Sequence, residues 1–120
     1  MGTDSFLHFW QAVGAGNLYF NLDTANQYFM KENLSLSVLR LADKISYIHL
    51  SDNSGTQVEH QVPGAGNIYW DGFFSTLQSI GYKGRIAIDV GGAETKINNI
   101  DQAYTQTASW LNTQIKRYLH

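Results

Sequence analysis

The chain has 120 residues, of which 43% are hydrophobic and 15% are charged, and its formal net charge is −2. This length suits one domain, so residues 1–120 are expected to form one, and the apolar share excludes disorder as the main state. The slightly acidic charge provides neither a basic patch for nucleic acid nor a cationic face for a membrane. The sequence has no cysteine, which excludes disulfides and thiolate sites and makes the cytoplasm the default compartment.

Helical and strand-like segments alternate along the chain. Apolar residues at helical spacing predict four helices, whereas short apolar runs rich in β-branched and aromatic residues predict three strands. In chain order the prediction is a helix at 6–13, a strand at 17–24, a helix at 34–41, a strand at 45–50, a helix at 73–80, a strand at 84–90 and a helix at 100–119. This alternation predicts parallel strands joined by helical crossovers, hence an α/β sheet.

Residues that favour helix ends agree with these limits. Two glycines follow the first helix, the segment 81–84 ends the third with a left-handed turn, and Asn98 or Asn99 can cap the last. Asp71 is a candidate cap for the third helix. The one long connection is 51–69, and a loop of that length in a compact domain is usually functional or disordered.

Each predicted strand carries one potential metal ligand near its C-terminal end: Asp23, His49 and Asp89. The carboxyl ends of parallel strands lie on one edge of the sheet, where α/β folds place their sites, so the three side chains would converge. Two carboxylates and one imidazole suit a divalent ion such as Mn²⁺, Mg²⁺, Co²⁺ or Zn²⁺. The alternative is that the aspartates only cap helices or form turns and the histidine is a satisfied core residue.

Other sites have little support. The glycines at 64 and 66 do not complete a dinucleotide-binding motif, and no serine lies in a GxSxG turn. His60 and its neighbour Glu59, both in the long loop, are by default solvated side chains.

Four motifs in order point to a family. They are LDTAN at 22–26, YIHLSDN at 47–53, EHQVPGAGNIYW at 59–70 and GYKGRIAIDV at 81–90. Together they resemble the C-terminal part of the xylose-isomerase-like TIM barrels, which include sugar isomerases, ketose 3-epimerases, inosose dehydratases and the endonuclease IV branch. The resemblance covers roughly residues 6–119 and implies a partial TIM barrel, its three strands corresponding to the sixth, seventh and eighth.

The resemblance also implies a metal site. In the family Glu, Asp, His and Glu hold the ion, and Asp23, His49 and Asp89 match the last three positions. Asp89 departs from the expected Glu and is one methylene shorter. The first Glu would come from a strand before the helix at 6–13, which this chain does not contain.

By the same resemblance, the longer protein is a divalent-metal-dependent sugar isomerase or epimerase that transfers protons through an enediolate. Asp89 would be one of two catalytic carboxylates, Asn26 would contact the sugar substrate, and His60 would contact the substrate or a second ion. With only one of these carboxylates, the chain alone is expected to be inactive. In the endonuclease IV branch a His stands at the position of Asn26 and an Asp at the position of Val58, so cleavage by a multi-zinc site is disfavoured.

The remaining alternative is a structural, non-catalytic module. Three strands of an open sheet leave two edges unpaired and side chains of the barrel interior uncovered, a liability that proteins reduce by association. We therefore expect either a homo-oligomer or a fragment of a longer barrel.

Overall fold

The structure is a computed structural model that describes residues 2–14, 16–92 and 95–120. Its elements are α1 (Thr3–Val13), β1 (Phe20–Asp23), α2 (Thr24–Phe29), α3 (Leu34–Leu41), a 3-10 turn (Ala42–Lys44), β2 (Ile45–Leu50), α4 (Trp70–Ser79), β3 (Arg85–Ile88) and α5 (Ile100–Tyr118). The three predicted strands and the four predicted helices are confirmed, with shorter first and third strands. Helix α2 was not predicted, because six residues are too few to show a helical period.

The sheet is parallel, as predicted, in the order β1-β2-β3. Asp23 at the end of β1 lies opposite His49 in β2, and His49 lies opposite Ala87 in β3. Beyond β3, the Asp89 N–H donates to the Leu50 carbonyl at 3.0 Å, so the pairing continues to the residue that carries the last predicted ligand. The C-terminal ends of all three strands therefore meet at one edge.

One face of the sheet carries the core. Leu22, Ile48 and Leu50 are fully buried there. They pack in one cluster with apolar residues of α3 and α4: Val38, Leu41, Phe73, Phe74 and Leu77. Burial of this kind stabilises the fold by about 1.5–3 kcal/mol for each large apolar side chain.

The opposite face of the sheet is polar and open. Successive side chains of a strand point to opposite faces, and the strand register places Asn21, Tyr47 and Arg85 side by side across the three strands. Asn21 and Arg85 are exposed and Tyr47 is half-buried. Along the strands, this face leads to Asp23 and His49 at the carboxyl edge.

The helix ends follow local chemistry. Gly14 ends α1 with a φ of 66°, and Gly81 follows α4 with a φ of 67°, both in the left-handed region that glycine adopts without strain. Asn99 caps α5 by accepting from the Gln102 N–H at 3.0 Å. The predicted capping role of Asp71 is wrong: α4 begins at Trp70, so this carboxylate lies in the first turn, where the helix dipole favours it.

None of the helices in the described ranges is both long enough and apolar enough to cross a membrane.

Candidate metal centre

Asp23 lies where β1 passes directly into α2, and its side chain caps that helix. One carboxylate oxygen accepts from the Asn26 N–H at 3.0 Å, and the other accepts from the Asn26 side-chain amide at 3.2 Å. Each carboxylate oxygen has a second lone pair, so capping a helix and binding a cation are compatible. Asn26, the predicted substrate contact, is exposed beside it.

His49 of β2 and Asp89, the residue that follows β3, lie next to each other. The His49 Nδ1 atom is 3.8 Å from an Asp89 Oδ2 atom, and their side chains are 38% and 47% exposed. The His49 ring also packs edge-on against Tyr47, with 5.2 Å between ring centroids. His49 is therefore accessible from the open face, whereas the core-residue alternative would require it to be buried.

The long loop brings a second histidine to this edge. Ligand atoms of Asp23, His60 and Asp89 all lie within 4.8 Å of one another, and His60 Nδ1 is 3.8 Å from the same Asp89 oxygen that faces His49. The sequence predicted a group of Asp23, His49 and Asp89, with His60 as a substrate contact. In the structure His60 belongs to the tight group and His49 lies beside it.

The loop that carries His60 folds around a buried carboxylate. Asp52 is 1% exposed, and its oxygens accept hydrogen bonds from four donors. These are the N–H groups of Asn53, Gly64 and Ile68 and the indole N–H of Trp70, at 2.8, 2.8, 3.1 and 3.1 Å. A Cβ atom on Gly66 would lie 2.5 Å from an Asp52 oxygen, so a larger residue at position 66 would displace this carboxylate. Asp52 therefore joins residues from several parts of the loop.

His60 itself is held through both its backbone and its ring. Its N–H donates to the Thr95 hydroxyl at 2.8 Å, and its carbonyl accepts from the Gly91 N–H at 2.9 Å. The ring Nδ1 is 2.9 Å from the Ser51 hydroxyl oxygen. The side chain is only 17% exposed, so the predicted default of a solvated side chain is wrong for His60.

Glu59 is a second buried carboxylate in the loop. It accepts from the Ser54 N–H at 2.8 Å, from the Gln57 side-chain amide at 2.8 Å and from the Gln61 side-chain amide at 3.3 Å. Hydrogen bonds from Ser54 and then from Gln57 lower the pKa of Glu59 from 4.5 to about 2. The side chain is 4% exposed, so the predicted default of a solvated side chain is wrong here too.

This pKa predicts a pH dependence of stability. Since the folded pKa is the lower one, Glu59 stabilises the fold above pH 4.5, and this contribution is lost as the pH falls towards 2. Glu59→Gln turns one hydrogen-bond acceptor into a donor, so we expect it to lower the free energy of unfolding by about 1–3 kcal/mol at pH 6. Urea unfolding at pH 6 and pH 3, with the exposed Asp43→Asn as control, measures it. A loss as large at pH 3 as at pH 6 would contradict the role of the charge.

The donor set fits a divalent cation. Ligand atoms lie about 2.0–2.2 Å from such an ion, so two ligands of one ion are at most about 4.4 Å apart. Asp23, His60 and Asp89, within 4.8 Å, would need only small side-chain rotations to close on one ion. Two carboxylates and one imidazole accept Mn²⁺, Co²⁺, Mg²⁺ or Zn²⁺ without selecting one of them.

Sequence reasoning missed the residues that position the site. Ser51, Asp52 and Thr95 were not singled out, although Ser51 and Asp52 lie in the motif YIHLSDN directly after β2. The polar residues that follow a buried strand were the available signal. Nothing local indicates Thr95, which reaches His60 from 35 residues away.

Known proteins resemble the chain in both sequence and fold. The family profile described as xylose isomerase-like TIM barrel matches residues 2–114. An L-ribulose 3-epimerase of Mesorhizobium japonicum is 26% identical over 106 residues, which are 88% of this chain and 33% of that protein. An L-ribulose 3-epimerase of Methylomonas sp. is 27% identical over 88 residues, which are 73% of this chain and 29% of that protein.

The fold comparison agrees. A D-tagatose 3-epimerase-like protein of known structure superposes with a TM-score of 0.81 at 22% identity, over 98% of this chain and 42% of that chain. The chain spans about a third of the length of the curated relatives it matches. Its three parallel strands and their helices are thus part of a barrel, which confirms the predicted fold class. Since the family profile covers nearly every residue, the chain belongs to the xylose isomerase-like TIM barrel family.

Proposed function

We propose that this chain is the C-terminal part of a divalent-metal-dependent sugar epimerase or isomerase, with residues 1–120 forming one partial-barrel domain. The observation that carries the proposal is the convergence of Asp23, His60 and Asp89 within 4.8 Å. They meet at the carboxyl edge of the sheet, where barrels of this kind place their sites. Two relatives that match most of the chain are L-ribulose 3-epimerases, which supports a small sugar as substrate.

In this proposal Asp23, His60 and Asp89 hold the cation, and His49 is a fourth candidate ligand from β2. His49 faces the same Asp89 oxygen as His60 does, each at 3.8 Å, so both imidazoles border one carboxylate. When bound, the metal would polarise the oxygens of a hydroxy-ketone and so acidify the hydroxyl-bearing carbon next to the carbonyl.

Asp89 is the residue that we assign to proton transfer. Its side chain is about half exposed, so a sugar on the open face can approach it. A carboxylate there can take a proton from the carbon next to the carbonyl, and a second group opposite the sugar must return one for the configuration to invert. Asn26, exposed next to Asp23, would contact sugar hydroxyls at the rim, whereas this proposal assigns His60 to the cation.

Calorimetric titration with Mn²⁺ or Co²⁺ tests the metal site. We expect one ion per chain and an affinity loss of at least about 100-fold in Asp23→Asn, since partners that only support ligands already contribute roughly 10–100-fold. His49→Ala tests the fourth ligand in the same way. Asp43→Asn, at an exposed aspartate that pairs with Lys44, is the matched control and should bind like the wild type. Equal, weak uptake by all four proteins would refute the site.

A further inference from the structure

Two consecutive residues, Leu50 and Ser51, lie where β2 ends, and two of the candidate ligands are attached to them. Leu50 is the last residue of β2, and both residues are fully buried. The Leu50 carbonyl accepts from the Asp89 N–H at 3.0 Å. The Ser51 hydroxyl oxygen is 2.9 Å from His60 Nδ1. Asp89 and His60 therefore take their positions from the same short piece of chain.

The third ligand, Asp23, reaches this piece of chain through its neighbour Thr24. The pairing of β1 with β2 ends where Asp23 lies opposite His49, because the chain turns into α2 at Thr24. Ser51 lies two residues beyond His49, past the end of this pairing. There the Thr24 hydroxyl accepts from the Ser51 N–H at 3.1 Å and donates to the Ser51 carbonyl at 2.7 Å. One side chain thus continues the connection that the backbone of β1 no longer makes.

The contact between Thr24 and Ser51 is shielded from water. Both residues are fully buried. A hydroxyl can donate and accept at the same time, so Thr24 satisfies two backbone groups of Ser51 at once. A buried backbone group that loses its partner is costly, so this pair of bonds resists opening. The end of β1 and the segment after β2 are thereby held at a fixed separation.

This separation bears directly on the proposed metal site. Ligand atoms of Asp23, His60 and Asp89 lie within 4.8 Å of one another. A binding site functions only when the surrounding residues keep each group within about 0.5 Å of its place. Asp23 belongs to the strand that Thr24 ties down, and His60 contacts the residue to which Thr24 is tied. A small opening at Thr24 would therefore move one ligand away from the other two.

We propose that Thr24 is a positioning residue whose hydroxyl clamps the end of β1 to Ser51 and so sets the spacing of Asp23 from His60 and Asp89. The inference rests on the proposed metal site and deepens it. Thr24 acts through Ser51 and not as a ligand, so its hydroxyl is the part of the side chain on which the site depends.

Calorimetric titration of threonine variants with Mn²⁺ tests the clamp. Thr24→Val keeps the shape of the side chain and removes the hydroxyl. We expect it to bind Mn²⁺ about 10–100-fold more weakly than the wild type, as is typical when a partner that supports metal ligands is lost. Thr24→Ser keeps the hydroxyl and should retain most of the affinity. Thr107→Val is the matched control and should bind like the wild type, since this buried hydroxyl donates to the Ala103 carbonyl within α5 at 2.7 Å.

Urea unfolding of the same proteins separates positioning from a merely structural role. Both valine variants lose a buried hydrogen bond, so both should have a lower free energy of unfolding than the wild type. Only Thr24→Val should also lose Mn²⁺ affinity. Equal affinity in the wild type and Thr24→Val would overturn the inference and leave the proposed function standing. Thr24→Ser binding as weakly as Thr24→Val would also overturn it.

Amide hydrogen exchange without metal tests the clamp independently of the site. In the wild type the Ser51 N–H should exchange as slowly as the N–H groups of β2, and Thr24→Val should accelerate its exchange more than Thr107→Val does. Rapid exchange of the Ser51 N–H in the wild type would overturn the inference, and this measurement needs no variant. If the wild type took up no Mn²⁺, the proposed function would fail, and the exchange rate would still decide whether Thr24 clamps the two strand ends.

Discussion

The isolated chain should show no measurable epimerisation or isomerisation of ketoses, even with Mn²⁺ or Co²⁺ present. Inversion at carbon needs groups on both sides of the sugar, and each general acid or base contributes about 10²–10⁴-fold to the rate. Asp89 supplies one of them, and the family resemblance assigns the other to a strand that precedes α1. The sugar would also lack most of the walls that exclude water. Deuterium uptake from heavy water by a panel of ketoses measures the first step directly.

Turnover that disappears in Asp89→Asn would contradict this expectation. Such turnover would have to come from the association of two copies of the chain. Grooves lie near both strand edges that are unpaired in the described part of the chain. One, of about 530 Å³, lies between the end of α4, the segment that leads into β3 and the C-terminal end of α5, and it includes Tyr82 and Ile86. The other, of about 400 Å³, runs along β1 and includes Phe9 and Phe20. A second copy docked there could lend a carboxylate, and sedimentation of the same samples would show an oligomer.

Asp52→Ala should destabilise the protein by about 3–5 kcal/mol, because its carboxylate accepts four hydrogen bonds and one hydrogen bond to a charged group contributes about 1.5–3 kcal/mol. Four donors that now bond to Asp52 would lose this acceptor, and each of them that stays shielded from water costs about 1–3 kcal/mol before relaxation. A loss of this size is a large fraction of the free energy of unfolding of a typical domain, which is about 5–15 kcal/mol. The loop would lose its centre and His60 its place near Asp23 and Asp89.

Urea unfolding and Mn²⁺ titration measure the two consequences of Asp52→Ala. Asp43→Ala, at an exposed aspartate, is the control. Asp52→Asn keeps the side-chain volume and turns one acceptor into a donor, so its free energy of unfolding should lie between those of the wild type and Asp52→Ala. Substitutions at featureless surface sites change the free energy of unfolding by less than about 0.5 kcal/mol. If Asp52→Ala changes it by no more than this, the loop does not depend on this carboxylate.

The strands and their end residues could be predicted from the sequence because their signals are local. A short apolar run identifies a strand, and parallel order alone brings Asp23, His49 and Asp89 to one edge. The position of His60 could not be predicted, since it depends on hydrogen bonds to Ser51, nine residues away, and to Thr95, 35 residues away.

The ordered conformation of the long loop could not be predicted for the same reason. The sequence shows Asp52 as one acidic residue after a strand, in a segment with the composition of a turn. Its burial follows from contacts with donors up to 18 residues further along the chain. Charge and turn formers in a long loop indicate solvation on average, and here they build a polar core instead.

The open face of the sheet sets an electrostatic condition on whatever covers it. Arg85 stands there in register with Tyr47, on the side that a closed barrel turns inward. A guanidinium cannot be neutralised by losing its proton, and removing it from water without a partner costs several kcal/mol. A polypeptide that closed over this face would have to bring a carboxylate to Arg85 or leave a channel of water around it. The surface therefore requires an acidic neighbour or water beside Arg85, at the amino-terminal end of the strands.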